Sequence, residues 1–151
     1  MVNIALVGCN GKMGKAVTSA VQSRNDCEIV FGADPFGTPA YDYPVFESLA
    51  VSDKKADVII DFSNPASLDD ILAYALEKKI PCVLCTTGYS PEQVEKIKKA
   101  SESVAVFYSG NMSLGINLLI ELSKEAAKIL SAADFDIEIV EKHHNQKIDA
   151  P

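Results

Sequence analysis

Positive charge is scarce in this sequence. Lys and Arg together number 14 against 21 Asp and Glu, a net charge of −7. No basic field exists to gather a phosphate backbone, which excludes a generic nucleic-acid binder. An anionic ligand must be held by local backbone and a few lysines. Long apolar runs are missing too, and none approaches the ~20 residues that a membrane span needs. The opening Met1-Val2-Asn3-Ile4-Ala5-Leu6-Val7-Gly8 lacks a basic leader, a long apolar stretch and a small-residue cleavage site. The expectation is no secretory signal, no membrane and a cytoplasmic location. There is no low-complexity tract, internal repeat or separating linker. The 151 residues, 48% of them hydrophobic, read as one domain able to bury a core without staples.

Cysteine is present but without a reactive arrangement. Cys9, Cys27, Cys82 and Cys85 lie in or beside apolar, strand-like segments, which suits reduced thiols. Cys82-Val83-Leu84-Cys85 spells C-x-x-C, yet a redox pair should open a helix, whereas positions three apart on a strand face opposite sides. Further ligands at zinc-binding spacing are absent, so no metal is expected.

What is present is an alternation of short apolar runs with amphipathic segments. Val2–Val7 is a continuous apolar run ending at glycine, the pattern of a parallel strand covered on both faces. Lys12–Gln22 carries Met13, Ala16, Val17, Ala20 and Val21 at helical spacing. Strands are expected at Glu28–Ala33, Asp57–Phe62, Pro81–Cys85 and Val104–Tyr108, and by alternation at Phe135–Val140. Helices are expected from Ser63-Asn64-Pro65 to Lys78, from Ser90-Pro91-Glu92-Gln93 to Ser101, and over Ser113–Leu130. Phe36–Phe46 reads as a loop, followed by a helical turn near Glu47–Ala50. Strands alternating with helices imply an α/β fold of Rossmann-like, doubly wound type, with a mainly parallel sheet and helices on both faces.

Gly8-Cys9-Asn10-Gly11-Lys12-Met13-Gly14 joins the first strand to the first helix. Small residues there permit a sharp turn, close approach of backbone to a pyrophosphate, and tight helix-on-strand packing. The helix start offers free N–H groups and about half a positive charge. The spacing G-x-x-G-x-x-G is one residue away from the commoner G-x-G-x-x-G. Asp34, twenty residues past Gly14 at the end of the second strand, is where a ribose-binding carboxylate belongs. The plainer reading is a simple turn, with Asp34 capping a loop before Pro35; dinucleotide binding is preferred. A nucleotide-hydrolase loop fails, because Gly14-Lys15 is followed by Ala16, which has no hydroxyl for magnesium. Lys12 could accept a 2′-phosphate while Asp34 favours a free 2′-hydroxyl, which together suggest tolerance of NADH or NADPH; a solvated helix-start lysine is the other reading.

Ligands of doubly wound sheets lie at the carboxyl ends of the strands. Those ends read Phe62-Ser63-Asn64-Pro65, Thr86-Thr87-Gly88 and Ser109-Gly110-Asn111-Met112-Ser113. Ordinary helix capping accounts for Ser63 or Asn64 and for Ser90, whereas Thr86, Thr87 and Asn111 are read as ligand contacts. Glu141–Pro151 then carries His143, His144 and Lys147. Histidine titrates near pH 6.5, suiting a general acid or base, and Lys147 offers a positive charge to a substrate carboxylate. Spacing alone leaves open a surface His pair or a metal site with Glu141 or Asp149.

Together these segments resemble the 4-hydroxy-tetrahydrodipicolinate reductase (dihydrodipicolinate reductase) family of bacterial lysine biosynthesis. The resemblance rests on the Gly8–Gly14 loop, Ile60-Asp61-Phe62-Ser63-Asn64-Pro65, Thr86-Thr87-Gly88-Tyr89, Asn111-Met112-Ser113-Leu114-Gly115 and the highly specific E-x-H-H-x-x-K-x-D-A-P of Glu141–Pro151. It implies that NADH or NADPH lies along Gly8, Cys9, Asn10, Gly11, Lys12, Met13, Asp34, Cys85, Thr86, Thr87, Ser109, Gly110, Asn111 and Met112. It implies His143 as proton donor and acceptor, His144 as a contact to the dicarboxylate substrate, and Lys147 as a residue that binds substrate and assists proton donation. In the family the motif continues Ser-Gly-Thr into a sheet domain that closes over substrate and builds a homotetramer. Residues 1–151 are therefore expected to form the cofactor-binding domain, with 141–151 starting the substrate-site segment. The chain by itself is expected to be inactive, and a monomer or weak dimer.

Overall fold

The structure, a computed structural model, describes residues 1–36, 41–140 and 142. It divides into two compact units, Met1–Gly110 and Asn111–Pro151. The first holds a six-stranded sheet: β1 (Val2–Val7), β2 (Cys27–Ala33), β3 (Val45–Phe46), β4 (Val58–Asp61), β5 (Cys82–Leu84) and β6 (Val106–Tyr108). Every pairing is parallel and the order is β3-β2-β1-β4-β5-β6. The helices of this unit are α1 (Lys12–Gln22), α2 (Leu68–Lys78) and α3 (Pro91–Ser101).

Alternation along β1 creates two cores, because successive strand side chains point to opposite faces. Ala5 and Val7 enter the larger core, with Phe31, Ile59, Leu84, and the inner faces of α2 (Leu68, Ile71, Leu72, Ala75) and α3 (Ile97, Ala100). Ile4 and Leu6 enter the smaller one, with Cys9, Ile29 and the α1 residues Val17 and Val21. Thus α1 covers one face and α2 and α3 the other, the doubly wound arrangement expected from sequence. Local chemistry sets the helix starts. Pro91 occupies the first turn of α3, where Ser90 Oγ accepts the Gln93 N–H and Gln93 Oε1 accepts the Ser90 N–H, a complete capping box. Before α2, Asn64 Oδ1 accepts the Ala66 N–H at 3.0 Å and a single 3-10 turn, Pro65–Ser67, leads into the helix.

The second unit contains α4 (Leu114–Ser131), capped by Ser113, whose Oγ accepts the Ile116 N–H at 3.3 Å. Two expectations need correction. Phe135–Val140 is not a strand: alternation marks a chain able to pair, but among the described residues no ladder includes this segment, and a strand exists only by pairing. Conversely, the stretch read wholly as loop contains β3, whose two residues pair with Gly32 and Ala33; so short a strand leaves no periodicity to detect. Among the described residues no helix is long and apolar enough to cross a membrane.

Candidate functional site

The strand order reverses between β1 and β4, and the crevice that this opens lies beyond their carboxyl ends. Gly8 follows β1 with φ +75°, a conformation that side chains resist. A Cβ on Gly8 would lie 2.5 Å from the Phe62 carbonyl oxygen after β4. One on Gly14 would lie 2.3 Å from the Gly8 carbonyl oxygen, so α1 sits directly on the turn. Gly11 is less crowded: its nearest neighbour would be 3.3 Å away. Gly11 is the N-cap of α1, no side chain caps that end, and its first turn has no acidic residue. The loop therefore presents backbone and the positive end of a helix dipole to a ligand, as a diphosphate requires.

Hydrogen bonds tie this loop to the end of β2. Asp34 Oδ2 accepts the Asn10 N–H at 3.0 Å, Asp34 Oδ1 accepts the Phe36 N–H at 2.9 Å, and Asn10 Nδ2 donates to the Phe36 carbonyl at 2.5 Å. Asp34 thus caps the loop before Pro35, the plainer of its two sequence readings, and it also lines the adjoining cavity. The Tyr41 hydroxyl donates to the Cys9 carbonyl at 2.8 Å, and Tyr43 and Thr18 hydroxyls meet at 2.8 Å. The two rings stack 4.8 Å apart. The Cys9 thiol points into the smaller core against Gly32, so this residue can meet a ligand only through its backbone. Burial, then the charge of Asp34, push that thiol up to about 11.

A cavity of about 710 Å³ opens here. Its wall includes the predicted Gly8, Asn10, Gly11 and Asp34, and also Phe36, Glu47, Ser67 and Asp70, which sequence reasoning passed over. A cue existed for the last two, which open or precede α2 after a strand end; Glu47 had none, since β3 was invisible. Lys12 and Met13 are exposed at the start of α1 and lie outside the cavity wall.

A second cluster joins the ends of β4, β5 and β6. Asp61 is fully buried; its Oδ1 accepts the Ser63 N–H (2.9 Å) and hydroxyl (2.5 Å), and its Oδ2 accepts the Tyr89 hydroxyl at 3.1 Å. Burial and then Asp61 push the Tyr89 phenol well above its usual range, with Thr86 acting in the opposite direction. Thr86 is buried and Thr87 exposed, and Thr87 packs against Gly110, where a Cβ would lie 3.3 Å from its methyl. Ser109 N–H donates to the Leu84 carbonyl at 3.1 Å. Burial raises the Cys85 thiol to about 11, which keeps it protonated and unreactive. The structure thus gathers Cys85, Thr86, Thr87, Ser109 and Gly110 at neighbouring strand ends. Asn111 and Met112 belong to the second unit, where Asn111 Oδ1 accepts the Ser113 N–H at 3.0 Å. His143, His144 and Lys147, with Glu141 and Asp149, lie outside the described residues.

Residues 2–112 match the family described as dihydrodipicolinate reductase, N-terminus, and residues 115–151 match dihydrodipicolinate reductase, C-terminus. Over 151 residues the chain is 52% identical to a 4-hydroxy-tetrahydrodipicolinate reductase of Clostridium tetani, covering all of this chain and 59% of that protein. Identity to the enzyme of the same name from Caldanaerobacter subterraneus is 47%, again over 100% of this chain and 59% of that one. Among solved structures, dipicolinate-bound dihydrodipicolinate reductase from Paenisporosarcina sp. TG-14 superposes with a TM-score of 0.77 at 29% identity, over 100% of this chain and 61% of that one. A dehydrogenase from Chromobacterium violaceum, 18% identical with a TM-score of 0.63 over 82% of this chain and 40% of that one, shares the fold. The chain spans about 59% of the length of these curated relatives. With matches that run from Val2 to Pro151, the chain belongs to the dihydrodipicolinate reductase family.

Proposed function

We propose that this chain supplies the coenzyme-binding part, and the beginning of the substrate site, of an NAD(P)H-dependent 4-hydroxy-tetrahydrodipicolinate reductase of lysine and diaminopimelate biosynthesis. The observation that carries the coenzyme reading is the side-chain-free cradle of Gly8 and Gly14 at the sheet's switch point, beneath an uncapped helix start. Asp34 receives ribose hydroxyls, and Gly8–Met13 the diphosphate. Cys85–Thr87, Ser109 and Gly110, with Asn111 and Met112, hold the nicotinamide end. Bound NADH or NADPH would supply a hydride.

The protein's share is binding, orientation and the proton. His143 donates the proton that accompanies the hydride in reducing the unsaturated ring, and is afterwards neutral, ready to be reprotonated from solvent. His144 and Lys147 hold the substrate's carboxylates, and Lys147 raises the acidity of the donor by its charge. That the Paenisporosarcina relative binds dipicolinate, a planar dicarboxylate, supports this class of substrate. Segment 141–151 would carry these three groups as the start of the substrate site.

The test has two stages. Titration with NADH and with NADPH, followed by fluorescence, should show saturable binding; reduction of freshly generated substrate is then assayed. His143→Gln and Lys147→Ala, placed in a relative that turns over, should lower the rate by about 100-fold or more with coenzyme affinity nearly intact, the general acid–base range. Unchanged rates would remove both residues from the mechanism.

A further inference from the structure

One peptide group in the glycine turn is held at both of its polar ends. The Cys9 carbonyl accepts the Tyr41 hydroxyl at 2.8 Å, and the next N–H, on Asn10, donates to Asp34 Oδ2 at 3.0 Å. The connection between β2 and β3 supplies both partners. Val7, Gly8, Asn10 and Gly11 line the cavity, whereas Cys9 and Tyr41 are outside its wall and belong to the smaller core. The Cys9 carbonyl is thus drawn away from the cavity. Burial, then Cys9 and Asp34, raise the Tyr41 phenol above its usual range, so it is a donor at neutral pH. Its ring is braced in turn, stacked 4.8 Å from that of Tyr43 with the planes 9° apart. Tyr43 is anchored to α1. The one hydroxyl hydrogen of Thr18 goes to the Gly14 carbonyl at 2.9 Å, so Tyr43 is the donor in its 2.8 Å bond to Thr18 Oγ1. Gly32 leaves room for this ring: a Cβ there would lie 3.1 Å from it.

We propose that Tyr41 is a positioning residue for the coenzyme's diphosphate and acts through the Cys9–Asn10 peptide. This rests on the dinucleotide reading of the glycine turn. An anion is attracted by backbone N–H groups and repelled by carbonyl oxygens, and a peptide plane turns one or the other to a given side. A flip of this peptide changes only ψ of Cys9 and φ of Asn10, and asparagine tolerates the left-handed region better than most residues. The flipped carbonyl would point to the cavity side, against the diphosphate. The Tyr41 hydroxyl opposes the flip by meeting the carbonyl on the core side, while Asp34 holds the N–H. Without that hydroxyl the carbonyl loses its partner and the flipped turn gains population. Apparent affinity for a diphosphate falls in proportion to the fraction of turns that remain competent.

Tyr41→Phe and Tyr43→Phe form the test, because each keeps the ring stack and removes one hydroxyl from the same face. ADP-ribose is the probe, since it carries the diphosphate and needs no nicotinamide contact. In calorimetric titration Tyr41→Phe should bind it about threefold to tenfold more weakly than the parent chain, the contribution of one neutral hydrogen bond. Tyr43→Phe should lose stability in urea yet keep the parent's affinity. In the ligand-free, 15N-labelled chain, the Asn10 amide resonance should shift or broaden in Tyr41→Phe and stay in place in Tyr43→Phe. A merely structural role for Tyr41 would lower the urea midpoint and move neither the affinity nor that resonance. Unchanged affinity in Tyr41→Phe therefore overturns the assignment, and so does an equal loss in both variants. Either result leaves the dinucleotide reading standing, because the parent still binds. If the parent itself fails to bind ADP-ribose, the dinucleotide reading is refuted and the role of Tyr41 goes with it.

Discussion

The carboxylate of Asp34 accepts the backbone N–H of Asn10 at 3.0 Å, across 24 residues of chain. One side chain thus ties the end of β2 to the glycine turn after β1. Its other oxygen caps Phe36. Charge-assisted bonds of this kind are stronger than neutral ones, though Asp34 is only half-buried and solvent screens it.

Asp34→Ala should therefore reduce NADH affinity by about tenfold or more and cost roughly 1–3 kcal/mol of stability, because two loop N–H groups lose their acceptor. Fluorescence titration and urea denaturation measure the two effects. Loss of affinity with no change in stability would show that the carboxylate serves the ligand and not the loop.

Gly14→Ala and Gly11→Ala should separate sharply. The added methyl at Gly14 meets the Gly8 carbonyl oxygen at 2.3 Å and the Cys9 backbone at 2.6 Å. Backbone cannot move aside as a side chain does, so a cost of about 3 kcal/mol or failure to fold is expected. At Gly11 the closest contact is 3.3 Å, and the chain should fold with a change within about 1 kcal/mol. Denaturation midpoints at constant m-value decide this; equal penalties at the two sites would contradict the packing described.

Alkali should unfold this protein early. Burial raises Cys9, Cys82 and Cys85 from 9.0 to about 11, and Tyr43 from 10.0 to about 12. Between the unfolded and folded values the unfolded chain has lost protons that the native chain retains. Stability is thus complete below about pH 9 and declines as pH rises from 9 towards 11. Thermal midpoints from pH 7 to 11 should be level and then fall. At pH 8 a thiol reagent should modify Cys27, the one cysteine not buried, ahead of the other three.

Tyr89→Phe removes the hydroxyl that reaches Asp61 Oδ2 at 3.1 Å. The fully buried carboxylate would keep its Ser63 partners on Oδ1 but lose this donor on Oδ2, at a cost of about 1–3 kcal/mol. Urea denaturation reads the loss. A variant as stable as the parent would mean that water replaces the phenol.

Much of the first unit was legible because its cues are local. Val2–Val7 followed by Gly8-Cys9-Asn10-Gly11-Lys12-Met13-Gly14 is a strand, a turn and a helix whatever surrounds it, since apolar periodicity and glycine sterics act within a few residues. Asp34 was placed by counting from that loop. Glu47 and the Asp61–Tyr89 bond were not legible: the first depends on a two-residue strand, and the second joins groups 28 residues apart. Phe135–Val140 shows the converse, a local pattern without a partner strand.

The sequence by itself determined the alternating elements, the glycine turn, the reduced cysteines and the family motifs. Only the tertiary structure decided that β1 lies between β2 and β4, which brings Asp34, Glu47 and Asp70 from three segments around one cavity. The physical reason is range. Helix and strand preferences are fixed by neighbours along the chain, whereas parallel pairing and the charge of a cavity arise between segments that meet only after the sheet has formed.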